Sequence, residues 1–270
     1  MKIFELKDVS FAYLGRFPAL RAVSLEVRAG EKVAILGANG SGKSTLLRIL
    51  NGLVFPQTGE VKAFGQPLTE NGLDGAFNRF FRSKVALLFQ NPDAQLFCPT
   101  VFDEVAFGPL QLDLPPEEIH QRVEDLLKLL RLEALRDRSP YELSLGEKKK
   151  VAVAAVFSTN PDVLLLDEPT ASLDPRSTRT LIDLLVEANE GGKTLVTATH
   201  DLHLVPEISD RVYIFSEEKR VAAEGRPEEL LADVEQLAKW NLIHLHKHAH
   251  QDYWHAHLHE HPSKEHTHNE

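Results

Sequence analysis

Gly37-Ala38-Asn39-Gly40-Ser41-Gly42-Lys43-Ser44-Thr45 is the stretch that decides the fold. Just before it, Lys32-Val33-Ala34-Ile35-Leu36 reads as a buried strand. Just after it, Leu46, Leu47, Ile49 and Leu50 recur at helical spacing until Gly52 and Pro56 end the helix. Strand, glycine-rich turn and helix in that order is the setting of a phosphate loop. The glycines let consecutive backbone N–H groups turn toward one anion, and the helix N-terminus adds a favourable dipole. Lys43 is spaced to reach the outer phosphates and Ser44 to offer its hydroxyl to magnesium. Gly37, Asn39, Gly40, Ser41, Gly42, Lys43, Ser44 and Thr45 are therefore the candidate nucleotide-binding set.

Outward from the loop, alternating apolar positions at Phe4, Leu6, Val9 and at Val23, Leu25, Val27 predict two antiparallel strands with a turn near Gly15 to Pro18. Val85-Ala86-Leu87-Leu88-Phe89, Val163-Leu164-Leu165-Leu166 and Thr194-Leu195-Val196-Thr197-Ala198 read as buried strands. A helix is expected from Pro175 to Asn189, and a hairpin from Val212–Phe215 and Val221–Ala223. Residues from Thr100 to Glu147 look helical, which suggests an inserted α-helical subdomain at about 92–157. Strands alternating with helices imply a mostly parallel sheet covered on both faces.

The strand at 163–166 ends in Asp167-Glu168. It delivers a carboxylate to the edge of the sheet where the phosphate loop also lies. Asp167 is placed to hold magnesium, and Glu168, one residue further, to act as base for an attacking water.

Further along the chain come Gln90, then Leu143-Ser144-Leu145-Gly146-Glu147, then Ser172-Leu173-Asp174 and His200. With the phosphate loop and Asp167-Glu168, this order resembles the ATP-binding cassette (ABC) family of ATPases up to about Pro227. The resemblance implies a P-loop ATPase fold with a RecA-like, mostly parallel core, an N-terminal antiparallel β part and a helical insertion. It implies that Gln90 touches magnesium and the attacking water, and that His200 contacts the γ-phosphate. Tyr13 matches the aromatic residue that stacks on adenine, and Asp174 the loop that crosses the dimer interface. Ser144 and Gly146 match the segment that caps the γ-phosphate held by a second subunit. Two residues depart from the usual signature, Leu145 in place of glycine and Glu147 in place of glutamine. The run Glu147-Lys148-Lys149-Lys150 and the stretch from Gln90 to Pro109 resemble the energy-coupling factor (ECF) ATPases, notably those of cobalt and nickel importers.

The formal net charge of −10 disfavours nonspecific nucleic-acid binding, which needs a basic footprint. The lone Cys98 excludes an internal disulfide framework. The opening Met1–Asp8 carries early acids and no apolar signal core, and no stretch is apolar enough to span a bilayer. The expected location is the cytoplasmic face of a cell membrane, held there by partners.

After about residue 235 the composition changes, and ten of the 13 histidines fall between His244 and His268. His244, His246, His248 and His250, then His255, His257, His259 and His261, alternate along the chain. Partners two apart share a face of an extended chain, and partners four apart a face of a helix. Either way imidazoles converge on one ion, and neutral imidazole suits nickel, zinc, copper and cobalt. The expected organisation is a cassette over 1–235 and a metal-binding tail over 236–270, with nickel or cobalt at the tail. An engineered tag, which usually has consecutive histidines, and a disordered solubilising tail are the other readings of the same histidines.

ATP and Mg2+ are the expected cofactors. The expected partners are a second ATPase, identical or different, an integral-membrane scaffold and a substrate-binding membrane subunit. The leading function is the ATPase of an ECF importer for nickel or cobalt. The alternatives are an ECF ATPase for a vitamin, a soluble ABC ATPase outside transport, and a metal store with a secondary nucleotide site.

Overall fold

A computed structural model describes residues 1–250 and 253–259, with the stretches 244–250 and 253–259 described as backbone alone. The chain opens with β1 (Lys2–Tyr13) and β2 (Phe17–Arg28), an antiparallel pair in which Phe4, Leu6 and Val9 meet Val27, Leu25 and Val23. β3 (Lys32–Gly37) then enters the core, and α1 (Lys43–Leu50) follows the glycine turn. β4 (Thr58–Ala63) and the two-residue β5 (Gln66–Pro67) return to the antiparallel layer, whose strand order is β2-β1-β4-β5. Helix α2 (Gly75–Lys84) leads into β6 (Val85–Leu88).

The helical region follows as α3 (Val101–Gln111), α4 (Pro116–Leu130) and α5 (Leu145–Ser158). It is less continuous than the sequence suggests. Arg131 takes a left-handed φ of 56° and ends α4. Pro140 disfavours helix at Ser139, so only short 3-10 turns at Glu133–Leu135 and Pro140–Glu142 separate α4 from α5.

The core resumes with β7 (Val163–Asp167), α6 (Pro175–Glu190), β8 (Thr194–Thr199) and α7 (Val205–Ile208). The hairpin β9 (Arg211–Phe215) and β10 (Val221–Gly225) and the short helices α8 (Pro227–Leu231) and α9 (Val234–Lys239) complete the cassette. Backbone strands β11 (His244–His250) and β12 (Tyr253–His259) pair with each other. The central sheet runs β10-β9-β3-β8-β7-β6, with parallel neighbours except for β10.

The two faces of that sheet explain its unbroken apolar runs. Successive strand residues point to opposite faces. Val163 and Leu165 of β7 join the core shared with α1 and the antiparallel layer, whereas Leu164 and Leu166 join the core shared with α3, α4 and α5. A strand buried on both sides needs apolar residues at every position rather than every second one. Because β3, β7 and β8 are parallel and in register, Leu36 lies opposite Thr199 and Asp167 opposite Ala198. Their C-terminal ends therefore deliver the phosphate loop, Asp167 and Thr199 to one edge.

Candidate nucleotide-hydrolysis site

The turn between β3 and α1 has no room for side chains at its two ends. A Cβ on Gly37 would fall 2.5 Å from Ser41 Oγ and 2.8 Å from the Phe215 carbonyl. Gly42 takes φ 108°, and a Cβ there would fall 2.3 Å from the Ala19 carbonyl. Lys43 curls over this turn, its Nζ donating to the carbonyls of Gly37 (2.6 Å) and Ala38 (3.3 Å). Burial pulls the Lys43 ammonium below its ordinary pKa, and the nearby Glu168 and Asp167 charges work against that shift.

Asp167 ends β7 nearly fully buried, and its Oδ1 accepts no hydrogen bond. Burial pushes its carboxyl above the ordinary carboxylate range, while a hydrogen bond from Ser44 draws it down. An orphaned buried carboxylate oxygen beside a hydroxyl suits a hard divalent cation that takes oxygen ligands. The residues present thus fit magnesium, with Ser44, Asp167 and Gln90 as the donors available to it.

Glu168 is also buried, in the left-handed region at φ 45°. Its N–H donates to the Ala198 carbonyl at 2.9 Å, which anchors this turn to β8. Thr199 Oγ1 donates to Glu168 Oε2 at 3.3 Å, and His200 Nδ1 lies 2.8 Å from Glu168 Oε1. The carboxylate is thus held from both oxygens, with its two holders on consecutive residues leaving β8.

The phosphate loop, Asp167 and Glu168 border one cavity of about 330 Å3, and Thr199 and His200 stand behind Glu168 rather than in the cavity lining. Of the residues singled out from the sequence, Tyr13, Asn39, Gly40, Gly42, Lys43, Ser44, Thr45, Gln90, Asp167 and Glu168 line it. Tyr13 is half-buried there, its hydroxyl accepting from Arg48 Nη1 at 3.0 Å and lying 3.2 Å from Thr45 Oγ1. Phe17, its partner across the β1–β2 pair, lines the same cavity.

Gly37, Ser41, His200, Ser144, Gly146 and Asp174 are not among the lining residues. Ser144, Gly146 and Asp174 form a second group. Ser144 caps α5 through a capping box, its N–H donating to Glu147 Oε2 at 2.8 Å and its hydroxyl donating to the same oxygen at 2.7 Å. Asp174 caps α6, accepting from the N–H groups of Arg176 and Ser177 at 3.0 Å each. Gly146 lies against the loop before Asp174, where an added Cβ would come within 3.1 Å of the Ser172 carbonyl. Leu145 stands 49% exposed at the tip of α5.

The metal positions read at His244, His246, His248, His250, His255, His257, His259 and His261 fall on residues whose side chains lie outside the described residues. Several site residues have no signal in the sequence. Thr199 is concealed as one more strand residue. Lys219, from the β9–β10 turn, donates to the Gly40 carbonyl and lines the cavity through a contact far away along the chain. Lys149 hides in the charged run 148–150, although its spacing to Val153 puts it on the buried face of α5. Burial pulls the Lys149 ammonium down to about 8, against the pull of Asp167 and Glu168.

A family model described as ABC transporter matches residues 20–171. The chain belongs to the ABC transporter family. It is an ATPase of that family. Over 244 residues, 89% of this chain and 95% of the other, it is 50% identical to the nickel import ATP-binding protein NikO of Rhodobacter capsulatus. It is 43% identical over 242 residues to the energy-coupling factor transporter ATP-binding protein EcfA of Methanocaldococcus jannaschii, covering 90% of this chain and 85% of that one. Among solved structures, cbiO1 from Clostridium perfringens, part of the ABC transporter complex cbiONQ, superposes with a TM-score of 0.72. That match has 38% identity and covers 89% of this chain and 95% of the other. The likeness extends to the ECF type of ABC ATPase that the sequence around Gln90 and Glu147 suggests.

Proposed function

We propose that this cassette is the ATP-hydrolysing subunit of an ECF-type importer for a divalent metal ion, nickel or cobalt. The observation that carries the hydrolytic part is the single cavity in which the phosphate loop, Gln90, Asp167 and Glu168 converge. Ser44, Asp167 and Gln90 would hold magnesium, which would supply positive charge to the phosphates of the nucleotide. Backbone N–H groups from Asn39 to Thr45 and the Lys43 ammonium bind the phosphates, and Tyr13 supports the adenine. Glu168 accepts the proton of a water that attacks the γ-phosphorus as the bond to ADP breaks. His200 holds Glu168 through Oε1 and contacts the γ-phosphate.

Ser144 and Gly146 lie outside this cavity, so in this reading they serve the nucleotide of a second cassette. Two chains close over two ATP molecules, and Asp174 sits at the seam. Closure has to reach the membrane through a partner, since no helix among the described residues is long and apolar enough to cross one. Phe97 is 58% exposed and stacks edge-on against exposed Phe107, with exposed Leu110 on the same helix α3. Buried Glu104 fixes this surface by accepting from the N–H groups of Phe97 and Cys98. Placed just past Gln90, it is the surface offered to a scaffold helix.

The metal reading is supported by the likeness to a nickel import protein and by the histidine spacing of the tail. Co-reconstitution with the membrane subunits in vesicles tests it. ATP-driven accumulation of nickel or cobalt is expected. Uptake of a vitamin with no metal transport would replace the cargo, and no ATP-dependent uptake at all would remove the transport role.

A further inference from the structure

Lys149 is 0% exposed, and the hydrolytic scheme above leaves it without a task. Burying an ammonium is costly unless each of its donors finds an acceptor. Lys149 Nζ has three donors and meets three backbone carbonyls, Phe89 at 3.0 Å, Gln90 at 3.2 Å and Asp167 at 3.5 Å. These carbonyls lie at the C-terminal ends of β6 and β7, neighbouring parallel strands. Two of them belong to residues whose side chains line the cavity. The lysine itself rides on α5, the helix that Ser144 caps.

One cation therefore joins three parts. It holds the backbone that aims Gln90, the backbone that aims Asp167, and the helix whose tip carries Ser144. A methionine of similar reach would fill the space but leave these carbonyls without the hydrogen bonds of the ammonium, so stability and turnover have to be read side by side.

We infer that Lys149 is a positioning residue for ATP hydrolysis, its ammonium locking the Gln90 and Asp167 backbone to the helix that presents Ser144. This rests on the assignment of Gln90 and Asp167 to the nucleotide site. Lys149 is fully buried and is not among the residues lining the cavity, so its loss acts on the arrangement of the reacting groups rather than on ATP capture.

The test is steady-state hydrolysis by the full chain carrying Lys149→Met or Lys149→Gln, with Tm measured alongside. Lys149→Met is expected to lower kcat about tenfold or more while KM for ATP stays within about threefold. Lys149→Gln keeps an amide donor and is expected to fall between Lys149→Met and the parent. In a Glu168→Gln background, Lys149→Met should also reduce the ATP-trapped dimer seen by sedimentation, because the Ser144 helix is uncoupled. An unchanged kcat in Lys149→Met overturns the inference. So does a fall in kcat that follows loss of folded protein in both variants. Glu168→Gln alone separates the two levels: if it is inactive while Lys149→Met runs at the parent rate, only this inference fails. If Glu168→Gln still turns over, the site assignment falls and takes this inference with it.

Discussion

Glu168 is held through both carboxylate oxygens by Thr199 and His200, which orients it as a base. Glu168→Gln keeps the size and most of the hydrogen bonding but cannot accept the proton. A positioned base is worth about 10²- to 10⁴-fold in rate. Turnover should fall by that order while ATP binding persists, as read by phosphate release and nucleotide titration. Asp167 makes a different prediction because its pKa is raised by burial. The folded chain holds that proton to higher pH than the unfolded chain does. Stability is therefore full below the ordinary Asp range and declines as pH rises through the elevated folded value. Asp167→Asn removes the buried charge, so the metal-free variant should melt higher than the parent at neutral pH and yet lose magnesium-dependent hydrolysis. A lower Tm would show that the carboxylate is better compensated than its orphaned Oδ1 suggests.

At the scale of the element, α5 carries the two departures from the usual signature, and they act differently. Glu147 closes the capping box, and the hydrogen bonds from the Ser144 hydroxyl and N–H hold its carboxyl below the usual range. Glu147→Ala should cost about 1 kcal/mol, or roughly 2–4 °C in Tm for a domain of this size. A depressed carboxylate contributes above its unfolded pKa and loses its contribution as pH falls through the folded value. The Tm gap between Glu147→Ala and the parent should thus close in acid, which thermal scans across pH would show. Leu145 sits on the exposed tip. Leu145→Gly clears that tip and frees the backbone, so ATP-driven dimerisation should tighten, and a weaker dimer in sedimentation would contradict this. The same helix shows what was legible in the sequence. Its place within the helical insertion could be read from the sequence, since Ser144 and the run that follows fall inside 92–157. The phosphate loop, β7 and β8 were legible because local patterns specify them. The break between α4 and α5 was missed because a left-handed Arg131 leaves no mark in the residue type. Phe17 and Lys219 were missed because tertiary contacts bring them to the cavity, and Thr199 because a tertiary contact brings it to Glu168.

At the scale of the whole molecule, a packed cassette is followed by a histidine-rich end, for which we propose a separate task. Trp240 and Leu242 pack on the cluster of Ala34, Leu36, Val212 and Ile214, so any cut before them would open the core beneath β3 and β9. A cut immediately before His244 leaves that packing whole. It removes ten histidines, a set that in the present reading gathers divalent ions near the transporter. Neutral imidazoles bind nickel or cobalt, whereas the cavity offers oxygen donors suited to magnesium. The two ions should therefore depend on separate parts of the chain. The shortened chain should keep its kcat, its KM for ATP and its Tm, and calorimetric titration with nickel should lose most of its stoichiometry. Binding should also weaken in the intact chain as pH falls below the ordinary histidine pKa of about 6.5, since protonated imidazole cannot ligate. Unchanged nickel stoichiometry after the cut would place the metal on the cassette and leave the tail without that role. A loss of hydrolysis instead would mean that the tail supports the ATP site directly.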